Sequence, residues 1–291
     1  MADENKPKSE EEEIAETFEK NIAEASQQSM ENEALDKRMS QIKKKIVVLS
    51  GKGGVGKSTV AANLATSLAL AGKKVGLMDI DIHGPSIPKL MGLESEPITG
   101  TDDSIHPIKK SDNLSVMSVG FLMMNTDDPV IWRGPLKYSL IRQFLRDVEW
   151  GELDYLIIDS PPGTGDEPLS VVQLLSNNLD GAVIVTTPQQ LAIDDVRKSI
   201  GFCRKVELPI LGVVENMAGF ICPHCGEKTE LFKSHGGSDM AESMGVKFLG
   251  SIPIDPQIVE SSDLGVDYLR NYPEREAAKA FKSVIETIQN S

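Results

Sequence analysis

Short, mostly apolar runs, many rich in β-branched residues, recur along the chain at Ile46–Leu49, Val75–Met78, Leu114–Val119, Tyr155–Ile158, Ala182–Thr186, Ile210–Val214 and Phe248–Ile252. Runs this short and without polar alternation predict strands buried on both faces. Between them the apolar period lengthens to that of a helix. Lys57–Leu70 has that spacing and meets a stop at Ala71-Gly72. Pro129–Trp150 reads as a loop and then an amphipathic helix facing inward through Leu136, Leu140, Phe144 and Leu145. Glu274–Gln289 packs through Ala278, Phe281, Val284 and Ile288. Strand and helix signals that alternate in this way predict an α/β fold, a doubly wound, mostly parallel sheet of about seven strands, with functional groups at the carboxyl ends.

Residues 1–44 stand outside this pattern. They are polar and poor in bulky apolar groups, and composition predicts a disordered acidic tail with one fraying helix at most, ahead of a domain spanning 45–291. Residues 1–36 account for −9 of the net charge of −14, so the domain itself is only mildly acidic and offers no basic groove for nucleic acid. No apolar run approaches the roughly 20 residues that span a bilayer, and the N-terminus has neither a secretory core nor a basic transit character. The reading is a cytoplasmic protein with no membrane and no nucleic-acid partner. Two of the three cysteines form a CxxC, a spacing for metal or redox chemistry in a reducing compartment rather than for a disulfide framework.

The first strand runs into Ser50-Gly51-Lys52-Gly53-Gly54-Val55-Gly56-Lys57-Ser58-Thr59. Gly51-x-x-x-x-Gly56-Lys57-Ser58 fits the phosphate-binding loop, in which bare amides and a helix N-terminus receive phosphate oxygens, the lysine reaches the β and γ phosphates, and the serine binds Mg²⁺. Gly51 through Thr59 is therefore the candidate ATP-binding segment, with Lys57 also a candidate catalytic group. Tyr155–Ile158 ends in Asp159, an apolar strand closing on a carboxylate that completes a Mg²⁺ shell with Ser58.

Lys52 is the extra feature. GKGGxGK[ST] resembles the deviant Walker A motif of the family that includes nitrogenase iron protein, MinD, ParA and the Mrp/ApbC carriers, P-loop NTPases of the SIMIBI type. The resemblance implies a homodimer whose subunits face each other across two nucleotides, with Lys52 reaching the partner's phosphates as a catalytic charge. It further implies that Asp79-Ile80-Asp81 opens switch I, where Asp81 orients the attacking water and borders the Mg²⁺ and Asp79 supports it. Ser160–Asp166 resembles switch II. Asn216, Pro253 and Asp255 fall where family members border the adenine.

Cys222-Pro223-His224-Cys225 allows three readings. A structural zinc site needs about four ligands from one chain, and here the set is incomplete, with Cys203 inside a predicted helix. A thioredoxin-type pair should sit where a strand enters a helix, but the polar Glu227–Glu230 follows instead. Two CxxC pairs meeting across a twofold axis would supply four thiolates to a [4Fe-4S] cluster or a zinc ion.

In chain order, GKGGVGKST, DxDIHGPS, the WRGP of Trp132–Pro135, DSPPGTGDE, TTPQQLA, the DVRK of Asp195–Lys198 and VENMAGFxCPHCG are similar to Mrp/ApbC (Nbp-type) ATP-binding iron-sulfur carriers over roughly residues 40–285. Some eukaryotic relatives carry an additional N-terminal cysteine motif, and this tail has no cysteine for a second cluster. The resemblance implies a homodimeric ATPase that binds a cluster through Cys222 and Cys225 and passes it between an assembly scaffold and apo iron-sulfur proteins. The rival is a ParA- or MinD-like positioning ATPase with a structural zinc at the CxxC. Such a protein needs a basic amphipathic helix or a basic surface, and Glu274–Gln289 mixes both charges.

Overall fold

The computed structural model describes residues 18, 26, 29–101, 104–122, 134–175, 178–222, 225–232 and 235–290. Along the chain these form α1 (residues 29–40), β1 (Ile42–Ser50), α2 (Lys57–Leu70), β2 (Val75–Asp79), α3 (Ile87–Leu90), β3 (Thr99–Thr101), β4 (Ser104–His106), β5 (Ile108–Ser111) and β6 (Leu114–Ser118). Then follow α4 (Gly134–Asp147), β7 (Leu153–Asp159), α5 (Asp166–Leu174), β8 (Gly181–Thr186), α6 (Gln190–Lys205), β9 (Ile210–Ile221), β10 (Lys228–Thr229), α7 (Gly236–Ser243), β11 (Phe248–Ile254), α8 (Pro256–Leu264), α9 (Tyr268–Asn271) and α10 (Glu276–Gln289).

Seven strands run parallel in the spatial order β6-β2-β7-β1-β8-β9-β11. They are the seven apolar runs of the sequence. Two short antiparallel strands, β5 beside β6 and β10 beside β9, were not expected. Alternate residues of β1 serve opposite faces. Ile46 and Val48 join the core under α2 and α10, whereas Val47 and Leu49 join the core under α4 and α6. Because both faces are covered, strands without polar alternation are the stable choice.

The boundary expected at residue 44 moves. Strand β1 begins at Ile42, and α1 packs Leu35 and Met39 into the core formed by Ile141, Phe144 and Leu145 of α4. Two apolar residues at i and i+4 hold a helix when a sheet and a second helix supply the opposing wall. Glu31 pairs with Arg142 at 2.9 Å and Arg146 at 3.3 Å. Buried Lys45 closes the C-terminal end, its Nζ donating to the carbonyls of Met39 at 3.2 Å and Ile42 at 2.7 Å. Burial lowers the Lys45 ammonium from its ordinary value, opposed by Asp180. The earlier part of the predicted tail, apart from residues 18 and 26, lies outside the described residues, as do Met123-Met124 and Trp132-Arg133. Of the predicted α4 face, Leu140, Phe144 and Leu145 pack inward.

Met39 is fully buried, so Met39→Ala is expected to cost about 3 kcal/mol in urea denaturation. Exposed Ser40→Ala should stay within about 0.5 kcal/mol. Equal midpoints for the two variants would show that α1 contributes nothing to the fold.

Candidate functional site

Strands β2, β7 and β1 lie side by side with Asp79 opposite Asp159 and Val48 opposite Asp159, so parallel pairing alone brings their carboxyl ends together. The loop from Gly51 leaves β1 there and enters α2, whose N-cap Gly56 has φ 78° and no side-chain cap. The first-turn amides of α2 therefore stay open to an anion. Gly56 is confined as well: a Cβ there would lie 2.3 Å from Asn216 Nδ2. A Cβ on Gly51 would fall 2.4 Å from the Asp195 backbone of α6, so only glycine admits this approach. Ser50, Lys52, Gly53, Gly54, Gly56, Lys57, Ser58, Thr59, Asp81 and Pro162 line a cleft of about 240 Å³ that also touches Ser86 and Leu90. Val55 is buried beneath the loop.

Inside this cleft the charges are paired unevenly. Buried Lys57 donates from Nζ to Asp159 Oδ1 and lies 3.3 Å from Ser58 Oγ. Among the described residues, Asp159 Oδ2 is buried without a hydrogen-bond partner. Burial pushes the Asp159 carboxyl up while the Lys57 ammonium opposes the shift. Neighbouring Asp79, fully buried, is pushed up to about 7 by burial and by the charge of Asp159. Its oxygens are occupied by the Asp81 amide at 3.0 Å and Ser118 Oγ at 2.9 Å. Asp79 thus braces the turn that presents Asp81. An unpartnered carboxylate oxygen beside a serine hydroxyl is the hard-oxygen donor set that suits Mg²⁺, so Ser58 and Asp159 fit that ion. When bound, Mg²⁺ would neutralise phosphate charge.

Asp81 Oδ1 accepts from the His83 and Gly84 amides, each at 3.3 Å. His83 Nε2 stands 3.5 Å from Glu167 Oε1 on α5, which joins the predicted switch I to the residue directly after the predicted switch II. Lys52 lies at the rim and forms no ion pair among the described residues; its carbonyl accepts from Ser50 Oγ at 3.0 Å.

The expected adenine neighbours are dispersed in role. Asn216 Nδ2 donates to the Val55 carbonyl at 2.9 Å, so this side chain touches the phosphate loop itself. Asp255 caps α8 through the Gln257 amide, binds Tyr268 Oη at 2.8 Å and is clamped by Arg275 at 2.5 and 2.8 Å. Burial opposes it, yet these donors hold the Asp255 carboxyl below its usual range. Pro253 lies within β11.

The strand expected to stop at Val214 continues to Ile221 as β9, carried through a kink at Met217 (φ 58°) and Gly219 (φ 81°). Cys222 follows at once. The Cys222 amide donates to the Glu227 carbonyl at 3.0 Å and the Gly226 amide to the Cys222 carbonyl at 2.9 Å. With β10 pairing back on Phe220 and Ile221, Cys222 and Cys225 lie at the turn end of a hairpin, Cys222 half-buried and Cys225 exposed. His224 lies outside the described residues. Among those described, no group of three or more His, Cys, Asp and Glu side chains is placed to hold a metal. Cys203 sits buried in α6, and burial pushes its thiol up to about 12, so it is no ligand.

Two site residues were absent from the sequence reading. Glu215 was passed over as a strand end, and Glu167 as part of a switch motif; in each case a carboxylate between apolar or glycine-rich neighbours was the available signal.

Fold and cleft together define a P-loop NTPase with the deviant loop. The solved structures agree: a Pyrococcus furiosus cell division ATPase MinD aligns at TM-score 0.62 and 26% identity, covering 85% of this chain and 99% of that one. A nucleotide-binding protein in complex with ADP from Archaeoglobus fulgidus aligns at TM-score 0.71 and 43% identity, covering 84% and 98%. The model of the NUBPL iron-transfer P-loop NTPases, of the ParA group, matches residues 41–289, and the chain belongs to that family. It is also 52% identical over 251 residues to a cytosolic Fe-S cluster assembly factor NUBP2 homolog from Dictyostelium discoideum, covering 85% of this chain and 95% of the relative.

Asp79 generates a pH prediction. Its carboxyl titrates near 3.8 in the unfolded chain and near 7 when folded, so the native state holds a proton that the unfolded state releases between those values. Its contribution is fully present below pH 3.8 and is lost as pH rises towards 7. Nucleotide-free wild type should therefore lose stability relative to Asp79→Asn over that interval in urea melts, by at most about 1.4 kcal/mol per pH unit. Parallel pH profiles would contradict the assignment.

Proposed function

We propose that this ATPase carries a [4Fe-4S] cluster between the Cys222–Cys225 hairpins of two like subunits and hands it to apo-proteins, receiving it from an assembly scaffold. The observation that carries this reading is the pair of half-buried Cys222 and exposed Cys225 just beyond the end of a strand that also meets the phosphate loop through Asn216. One chain brings two thiols, and a twofold axis makes four, the number such a cluster takes. Their exposure suits cargo that must leave. The Dictyostelium relative is named for cluster assembly, and the Archaeoglobus neighbour holds ADP.

In the nucleotide cycle, the open amides of Gly53–Ser58 receive the β and γ phosphates, and Lys57 turns from Asp159 to them. Asp159 and Ser58 hold Mg²⁺. Asp81, steadied by Asp79, orients the water that adds to the γ-phosphorus while the bond to the bridging oxygen breaks. Lys52 of each subunit offsets charge on the other's phosphates. Among the described residues no helix is long and apolar enough to cross a membrane, and the place of action proposed is the cytoplasm. A positioning ATPase would share the cleft, but the structural zinc it would place at the CxxC finds no set of three or more ligands among the described residues of one chain.

Anaerobic reconstitution with iron and sulfide should colour the wild type, and Cys222→Ser or Cys225→Ser should each lose the colour and the iron while still binding nucleotide. A cluster that survives both substitutions, or a colourless wild type that takes zinc, would sink the carrier reading.

A further inference from the structure

Asn216 and Glu215 are adjacent on β9, so their side chains leave opposite faces of the strand. Asn216 grips the phosphate loop through the Val55 carbonyl and crowds Gly56. Glu215 is buried, and its Oε2 accepts from the Gly237 amide in the first turn of α7 at 2.5 Å while Oε1 accepts from Ser251 Oγ of β11 at 3.2 Å. A carboxylate at a helix N-terminus with two donors is held firmly.

The cysteine hairpin belongs to the stretch between Asn216 on β9 and Gly237 in the first turn of α7. One end of that stretch is covalently joined to Asn216; the other is fastened by Glu215. Its base therefore sits on two consecutive residues, one of which also touches the phosphate loop. Between Asn216 and Phe220 the chain takes four steps against two on β11, from Ile252 to Ile254, and the left-handed Met217 and Gly219 absorb the excess. Phe220 pairs with both β10 and β11, so β10 lies on the edge of β9 that β8 occupies below it. The kink is the compliant part, and the two side chains are the fixed part.

We propose that Asn216 and Glu215 are the positioning residues that couple nucleotide occupancy of the P-loop to the pose of the Cys222–Cys225 hairpin. The proposal rests on the carrier reading for its purpose, but not for its test. A shift of the Val55 carbonyl when phosphate binds strains or carries with it the Asn216 side chain, because the two are joined by a 2.9 Å hydrogen bond. That displacement passes along one strand into the kink, and the Glu215 anchor turns it into a change of hairpin angle rather than a shift of the whole excursion.

Hydrogen exchange on the full chain, with and without Mg²⁺ and ADP, reads this directly, since the Cys222 and Gly226 amides close the hairpin and need no cluster. In wild type, nucleotide should change exchange across Ile221–Thr229 by about fivefold or more, the lower range of ordinary coupling between sites. Glu215→Leu, which removes both acceptors, should lose that response while residues 51–59 remain protected by ADP. Glu215→Gln should restore it, because the amide oxygen can accept from Gly237 and the amide nitrogen can donate to Ser251. Should Glu215→Leu fail to fold, Ser251→Ala is expected to weaken the response in part.

A purely structural role for Glu215 would raise exchange equally in both states and leave the ratio intact, which would overturn the proposal. So would a wild-type hairpin indifferent to nucleotide beside a protected P-loop. Neither outcome touches the cluster assay with the cysteine variants, so the coupling and the carrier reading fail separately.

Discussion

The molecule turns on one buried cation among buried carboxylates. Lys57 at the head of α2 faces Asp159, with Asp79 beside it on the next strand. Parallel pairing of β1, β7 and β2 puts these groups together. Ions removed from water in this way are tolerable only when each oxygen and each ammonium proton finds a partner. Most do. The exception among the described residues is the Asp159 Oδ2 oxygen, which has no hydrogen-bond partner, while burial and the charge of Asp159 raise the carboxyl of Asp79. A site that is only partly satisfied without nucleotide is one that Mg²⁺ and phosphate can complete, so the centre of the fold is also its point of response.

From that centre the geometry runs outward along β9. A strand ending at Val214 would leave the cysteines on a detached loop. Continued to Ile221, it makes the cysteine hairpin an extension of the sheet, with Asn216 against the phosphate loop and Glu215 against α7. The two chemistries share one piece of backbone, and the left-handed residues in its middle localise any bending.

Much of this was legible in the residues. The seven parallel strands are apolar enough on both faces to announce themselves, and Gly51 and Gly56 are demanded by a backbone that approaches α6 and Asn216 closely. What could not be read has physical reasons. Strand β10 is two residues long and polar, held by pairing alone. Helix α1 carries its two core residues among charges, so composition hides a contact that only the opposing α4 surface makes worthwhile. Met217 and Gly219 look like a strand terminus unless β10 and β11 are known to hold the chain on either side. Asp255 shows the converse: its position in a motif marks it for nucleotide, while its oxygens are engaged by Tyr268, Arg275 and the α8 amide. Residue type announces chemistry; it does not announce which neighbour claims it first.

On the proposed reading, two chains share one cluster at the hairpin tips. Native mass spectrometry of the anaerobically reconstituted protein weighs that arrangement directly. The account predicts two chains with a single four-iron, four-sulfide increment and no such increment on a lone chain. An increment carried by single chains, or two increments per dimer, would contradict it.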